Sequence, residues 1–223
     1  AGAHGRTIVK RDIDSLLRER GLAAAVVLKG EFANPTFRYL AGPPAAHLTT
    51  GMIVCRPGAT PFLLHGGMER DAAEETGFER AEYGALGYSK ILEQESSSLR
   101  AYARLIQRVL DRAGVTKGPV LIGGIMDVGR GYHVLNRLRE LMPGISLAED
   151  SDPGLFLKAR LTKDADEVES VRAVGRVCER AFERVREVIR AGRLEGGKLK
   201  DAKGWVTIGR SPPCSIRTKM SAV

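Results

Sequence analysis

Apolar and polar positions alternate along the chain in two distinct periods, one typical of strands and the other of amphipathic helices. The predicted strands are short apolar runs bounded by turn residues, and they cover 23–29, 52–55, 60–65, 81–83, 119–122 and 145–148. The predicted helices carry apolar residues three or four positions apart, and they cover 11–20, 68–76, 93–113, 132–141, 155–161 and 164–190.

The order of these elements predicts the fold class. Strands 52–55 and 60–65 are separated by Arg56-Pro57-Gly58, a turn sequence that predicts a hairpin. The other strands are separated by helices and by short links rich in Gly and Pro. We therefore expect an α/β domain with a mixed sheet flanked by helices. Phe37, Arg38 and Tyr39 are expected in a loop that follows Asn34-Pro35.

The pattern changes near residue 155, where Asp152-Pro153-Gly154 leads into a long helical tract. Asp164 is a suitable N-cap with Glu167 three residues later. The helix that follows has a single apolar stripe, formed by Val168, Val171, Val174, Cys178, Ala181, Phe182, Val185 and Ile189. We predict two domains, 1–155 and an incomplete second domain at 156–223. Residues 195–202 are expected to form a further helical turn or two, and 205–223 show no period.

Composition and charge argue against a nucleic-acid-binding protein. The chain has 35 Lys and Arg against 27 Asp and Glu, a net charge of +8. The basic residues are spread over every predicted helix, and only 5% of residues are aromatic. Nucleic-acid binding favours a clustered basic face with aromatic residues between the cations, so we expect no nucleic-acid partner.

The three cysteines and the lengths of the hydrophobic runs indicate the cellular compartment. Cys55, Cys178 and Cys214 are widely separated and contain no C-x-x-C pair, which predicts neither a disulfide framework nor a zinc site. We expect a cytoplasmic protein. No apolar run has the length of a membrane span, so no membrane partner is expected.

Several sequences superficially suggest catalytic chemistry. His65-Gly66-Gly67 is similar to an oxyanion-hole turn, but no G-x-S-x-G nucleophile sequence accompanies it, which favours a strand end with a tight turn. The glycines at 123–131 match neither a dinucleotide fingerprint nor a P-loop. His4, His47, His65 and His133 are scattered without zinc spacing. The acidic residues at 164–169 are better explained by the helix dipole than by a metal site.

Four segments resemble the creatinase, prolidase and Xaa-Pro aminopeptidase family. The stretch from Arg160 to Arg172 is similar to the entry into the catalytic domain of these enzymes, with Lys163 and Glu167 in the expected places. Residues 191–195 resemble the turn that ends the first catalytic helix, although Leu194 replaces a threonine. Residues 37–42 resemble the YLTG segment of the N-terminal domain, and 60–69 its central hairpin and next helix.

This resemblance implies a creatinase-type N-terminal domain followed by the start of a pita-bread catalytic domain. In full-length relatives that second domain holds two divalent metals, Mn, Co or Zn, which activate water for attack on the bond before proline. The five ligand motifs are not found in this sequence, so no catalytic residue, metal ligand or cofactor is assigned to the chain. Phe37, Arg38, Tyr39 and His65 are the candidates for lining the substrate cleft or a dimer interface, although the first three could equally pack against their own domain.

The leading hypothesis is a substrate-gating and dimerisation domain of an Xaa-Pro metallopeptidase, inactive as this fragment. Its expected partners are a second copy of the chain and, for the full-length enzyme, proline-containing peptides. The alternative is a stand-alone creatinase-like module that binds or oligomerises without peptidase activity.

Overall fold

The computed structural model describes residues 11–30, 34–202 and 204–206, and the chain divides into two compact units after Thr162. The first unit alternates helices and strands, as the hydrophobic pattern predicts. Its helices are α1 (Arg11–Glu19), α2 (Pro35–Ala41), α3 (Arg70–Glu75), α4 (Tyr88–Gln94), α5 (Ser98–Arg112), α6 (Val128–Leu141) and α7 (Leu155–Leu161). Its strands are β1 (Ala24–Lys29), β2 (Gly51–Cys55), β3 (Phe62–His65), β4 (Glu79–Glu82), β5 (Gly118–Gly124) and β6 (Ile145–Leu147). Short 3-10 helices lie at Pro43–Ala46, Gly67–Glu69 and Gly84–Leu86.

The six strands form one mixed sheet in the order β4-β3-β2-β1-β5-β6. Strand β2 is antiparallel to both of its neighbours, whereas β3 is parallel to β4 and β5 is parallel to β1 and β6. Five strands therefore run in one direction, and β2 alone runs against them. The predicted α/β class and the predicted hairpin between β2 and β3 are confirmed.

Both faces of the central strands are buried, which is why their sequences are almost continuously apolar. Along β1, Ala25 and Val27 join the hydrophobic cluster on one face, which also contains residues of α1, α2 and α7. Ala24, Val26 and Leu28 join the cluster on the other face, which contains residues of α5 and α6. The sheet is thus a layer between two layers of helix.

The segment predicted as a loop at Phe37, Arg38 and Tyr39 is instead helix α2, so this prediction was wrong. Asn34 is the N-cap, and its Oδ1 accepts hydrogen bonds from the backbone N–H groups of Thr36 and Phe37 at 3.0 and 3.1 Å. Pro35 at the first helical position has a backbone angle suited to a helix start. The Asn-Pro pair was interpreted as a turn, but here it begins a helix.

The single helix predicted over 93–113 is two helices, α4 and α5. The chain is extended at Glu95 and Ser97, with ψ of 142° and 156°. The Ser97 hydroxyl then accepts the N–H of Arg100 at 3.3 Å and caps the second helix. The break follows from the run of three serines at 96–98, whose side chains compete with helical backbone hydrogen bonds.

Helix α7 packs within the first unit, and the chain divides between Thr162 and Lys163, whereas the sequence predicted a boundary at 155–156. Leu155 and Ala159 are fully buried in the same cluster as α1 and α2. The helix after the Asp-Pro-Gly sequence has an apolar face that the first unit buries. That residues 156–223 contain the incomplete start of a metallopeptidase domain stays a prediction.

The second unit contains the long helix α8 (Ala165–Ala191) and the strands β7 (Arg193–Glu195), β8 (Lys198–Asp201) and β9 (Gly204–Trp205). The predicted capping box is present, since the backbone N–H of Asp164 donates to Glu167 Oε2 at 3.1 Å. Most of the predicted apolar stripe is exposed to solvent, including Phe182 at 75%.

The helical turns predicted at 195–202 are wrong, because these residues form the hairpin of β7 and β8. Gly196 and Gly197 have φ of +55° and +76°, the positive angles that a two-residue hairpin turn requires. The strands pair in register around them, with Glu195 opposite Lys198. The Gly-Gly pair was the sequence signal for this turn. His4, Cys214 and the segment 207–223 lie outside the described residues.

Candidate functional site

One edge of the sheet is formed by strand ends. It contains the carboxyl ends of β1, β3, β4 and β5 and the amino end of β2. This follows from the strand directions, and it brings together residues from distant parts of the sequence. Lys29 and His65 end two of the strands, and Glu82 pairs with His65 at the end of a third. We refer to this region as the carboxyl edge.

Glu69 organises the carboxyl edge. One carboxylate oxygen accepts both the backbone N–H and the hydroxyl of Thr49 at 2.5 Å, and the other accepts the N–H of Gly66 at 3.0 Å. Lys29 Nζ donates to the carbonyl oxygen of Thr49 at 2.8 Å. Burial alone would raise the pKa of Glu69, but these hydrogen bonds and the charge of Lys29 outweigh it and hold the pKa below its ordinary value.

His65 is 2% exposed at the end of β3. Its Nδ1 lies 2.8 Å from the carbonyl oxygen of Gly66, and a carbonyl only accepts, so Nδ1 carries the proton. Strand β4, which neighbours β3, is contacted by Arg70, whose Nε donates to Glu82 Oε1 at 2.7 Å. Arg70 therefore joins the start of α3 to the end of β4.

The remaining predicted site residues share helix α2 but differ in environment. Phe37 is fully buried in the core, and the Lys29 ammonium lies 5.7 Å from its ring centroid. The Tyr39 hydroxyl donates to the carbonyl oxygen of Ala159 on α7 at 2.6 Å. Arg38 is exposed. Of the four predicted residues, Arg38 is therefore the one whose side chain faces solvent most openly.

Sequence analysis did not single out Glu69, Thr49 or Lys29. The available signal was the spacing of Glu69 three residues after Gly66, which is the spacing of a capping box. No local pattern relates Glu69 to Thr49, because their hydrogen bonds depend on the pairing of β2 with β3.

Residues 11–30, 34–202 and 204–206 contain no group of three or more His, Cys, Asp or Glu placed to hold a metal ion. No described helix is long and apolar enough to cross a membrane.

Comparison with solved structures identifies the fold. A prolidase from Thermococcus sibiricus is similar over 88% of this chain, with a TM-score of 0.53 and 19% sequence identity. The chain has the prolidase α/β fold. A dipeptidase from Pyrococcus horikoshii (TM-score 0.50, 18% identity, 80% of this chain) and an X-Pro aminopeptidase from Thermotoga maritima (TM-score 0.50, 16% identity, 82% of this chain) are similar to it as well.

This similarity confirms the predicted α/β class with a mixed sheet flanked by helices. No family model matches the chain, and no curated protein matches it. The chain spans less than half of each of these solved structures, namely 47%, 43% and 44% of their lengths.

Proposed function

We propose that this chain supplies the non-catalytic, substrate-gating and dimerisation part of a prolidase-like metallopeptidase that acts on Xaa-Pro peptides. The observation that carries the proposal is the similarity of 88% of the chain to 47% of a prolidase. The matched region includes a first unit whose sheet is covered on both faces. A unit of that kind serves as a rigid wall beside a cleft or as a subunit contact.

The carboxyl edge is the surface that we assign to gating and dimerisation. Glu69, Thr49 and Lys29 make it rigid through their hydrogen bonds. Met68, in the turn after His65, is fully exposed, and Arg38 is exposed on α2. An unbranched apolar side chain and a guanidinium are residue types enriched at protein interfaces, so Met68 and Arg38 are the proposed contact residues.

The exposed stripe of α8 supports the metallopeptidase assignment. Val171, Val174, Phe182, Val185 and Ile189 are each at least 52% exposed on one 27-residue helix. An apolar surface of that length normally packs against another protein layer. We assign this face to contact with the catalytic part of the metallopeptidase, which would also hold its two divalent metals.

An activity assay with purified protein tests the catalytic half of the proposal. The full chain is incubated with an Xaa-Pro dipeptide and Mn²⁺, Co²⁺ or Zn²⁺, and bound metal is measured in parallel. We expect no release of proline and no tightly bound metal. Turnover accompanied by about two metal ions per chain would contradict the proposal.

Sedimentation velocity tests the dimerisation half. We expect a concentration-dependent dimer that the double variant R38E/M68E weakens by about tenfold or more, since two interface contacts are replaced by like charges. R112E, at the far end of α5 near the start of β5, is the matched charge-reversal control and should leave the dimer unchanged. A monomer at all concentrations, or equal weakening by the control, would remove the carboxyl edge as the dimer surface.

The alternative, a stand-alone module without a peptidase partner, is favoured by one observation. The first unit covers both faces of its own sheet. The variant F182E separates the two functions, because it introduces a charge into the stripe of α8 and leaves the first unit unchanged. Association that survives F182E favours the stand-alone module, whereas association lost in F182E indicates a helix face that belongs against another layer.

A further inference from the structure

The order in which the chain adds strands to the sheet reverses between β1 and β5. After β1 the next strand, β2, is added toward one lateral edge of the sheet. After β5 the next strand, β6, is added toward the opposite lateral edge. Strands β1 and β5 are adjacent and parallel, with Val27 opposite Gly123 and Leu28 opposite Gly124. The connections therefore diverge at their carboxyl ends, and such a position is where open α/β sheets form ligand crevices.

A cavity of about 140 Å³ lies at this position. Its described lining comes from β1, the start of α2, the end of β5 and α7, namely Val27, Asn34, Pro35, Thr36, Gly123, Gly124, Ile125 and Phe156. The size is close to the roughly 150 Å³ of an engineered apolar cavity that binds benzene in another protein. A molecule of about six non-hydrogen atoms fits this volume.

Two glycines allow the close packing of the segments around the cavity. A Cβ at Gly123 would lie 2.9 Å from Cε2 of the Phe156 ring, and a Cβ at Gly124 would lie 2.8 Å from the carbonyl oxygen of Leu28. Both distances are shorter than ordinary van der Waals contacts, so these positions admit no side chain without displacement of their neighbours. Phe156 is 8% exposed, and its ring packs against Gly123.

Two side chains of the lining can donate a hydrogen bond, namely Thr36 through its hydroxyl, which can also accept one, and Asn34 through its amide nitrogen. The structure shows no hydrogen bond from the Thr36 hydroxyl to any residue it describes. Asn34 is 8% exposed, and its oxygen already accepts two N–H groups. Its nitrogen donates one N–H to the carbonyl oxygen of Leu28 at 2.9 Å, which leaves its second N–H available.

We infer that this cavity, which we name the switch-point cavity, binds a small neutral ring compound that carries a carbonyl acceptor. The apolar walls of Val27, Ile125 and Phe156 suit the ring, and the donors of Thr36 and Asn34 suit the carbonyl oxygen. None of the described lining residues is charged, which favours a neutral ligand over an ion. This site is separate from the contact residues Arg38 and Met68 of the proposed function.

Nuclear magnetic resonance titration of the full chain with 2-pyrrolidinone tests the inference, with benzene as a ring probe that lacks the acceptor. We expect saturable shifts at millimolar concentrations for the amides of residues 123–125 and 36, and weaker binding of benzene. T36V removes the hydroxyl with little change of shape and should weaken lactam binding by about tenfold, the value of one hydrogen bond. It should leave benzene binding unchanged.

Two further variants test whether the probes bind at the switch-point cavity or elsewhere on the protein. T116V makes the same chemical change before the start of β5, at the opposite edge of the sheet, and should bind like the wild type. G123A places a Cβ against the Phe156 wall, which should displace that ring and abolish binding of both probes, while T36V keeps the test valid if G123A does not fold. The inference is overturned if the lactam gives no saturable shifts, if T36V binds it as tightly as the wild type does, or if a folded G123A still binds it.

Discussion

The two units of this chain use the same helical periodicity with opposite results. In the first unit the apolar face of α5 is buried, with Leu105, Ile106 and Val109 inaccessible to solvent. In the second unit the stripe of α8 is exposed along most of its length, and Phe182 is 75% accessible. Periodicity therefore identifies which face of a helix is suited to burial, whereas the presence of a covering layer depends on other parts of the fold.

The same contrast applies to charged groups. Glu69 in the first unit binds three hydrogen-bond donors on two neighbouring segments. The carboxylate of Glu187 on α8 contacts Arg184 at 2.7 Å, three residues away, and both side chains are more than 60% exposed. A partly buried, multiply bonded carboxylate and an exposed helical ion pair should contribute very differently to stability.

The largest expected difference between the units is in thiol reactivity. Cys55 is buried in β2, where burial raises the pKa of its thiol to about 12, whereas Cys178 on α8 is exposed. In a C214S background, a maleimide should label Cys178 at least about a thousandfold faster, because Cys55 reacts only when the sheet opens. Mass spectrometry of timed samples measures both rates. Equal rates in the native protein would mean that the first unit is not stably folded; in 8 M urea we expect equal rates.

A matched pair of phenylalanine truncations is expected to show the next largest effect. F37A removes a ring that is fully buried and should lower the free energy of unfolding by about 3–5 kcal/mol. F182A removes an exposed ring and should change it by less than about 0.5 kcal/mol. Urea unfolding followed by circular dichroism measures both values. A large loss in F182A would show that α8 is covered in solution.

A matched pair of carboxylate-to-amide variants should show a smaller difference. E69Q weakens three hydrogen bonds to a partly exposed carboxylate and should cost about 1–2 kcal/mol, whereas E187Q should cost less than about 0.5 kcal/mol. Urea midpoints at neutral pH provide the comparison. Equal costs would contradict the role assigned to Glu69 in making the carboxyl edge rigid.

The pH dependence of E69Q should show the smallest of these effects. The pKa of Glu69 is lower in the folded state than in the unfolded state, where it lies near about 4.3. The stabilisation by its carboxylate is therefore present above that value and is lost as the pH falls through the lower folded pKa. The difference in stability between wild type and E69Q should shrink below about pH 4.3. A difference that grows on acidification would contradict this sign.

Local signals predicted most of the secondary structure, and the errors have identifiable causes. The Asn34-Pro35 pair is compatible with both a turn and a helix start, and the choice depended on burial of Phe37. The serines at 96–98 ended one helix and capped the next, which a count of apolar periods does not detect. The Gly196-Gly197 turn was readable from the sequence, but the helical composition around it was given more weight.

The sequence by itself determined the order of the elements, the α/β class and the capped start of α8 at Asp164, because propensity, capping and short turns depend on neighbouring residues. Only the tertiary structure decided the strand order, the assembly of Lys29, Thr49 and Glu69 at the carboxyl edge, and the place of α7 in the first unit. These features depend on contacts between residues far apart in the chain. Local periodicity contains no information about which distant segment supplies the partner.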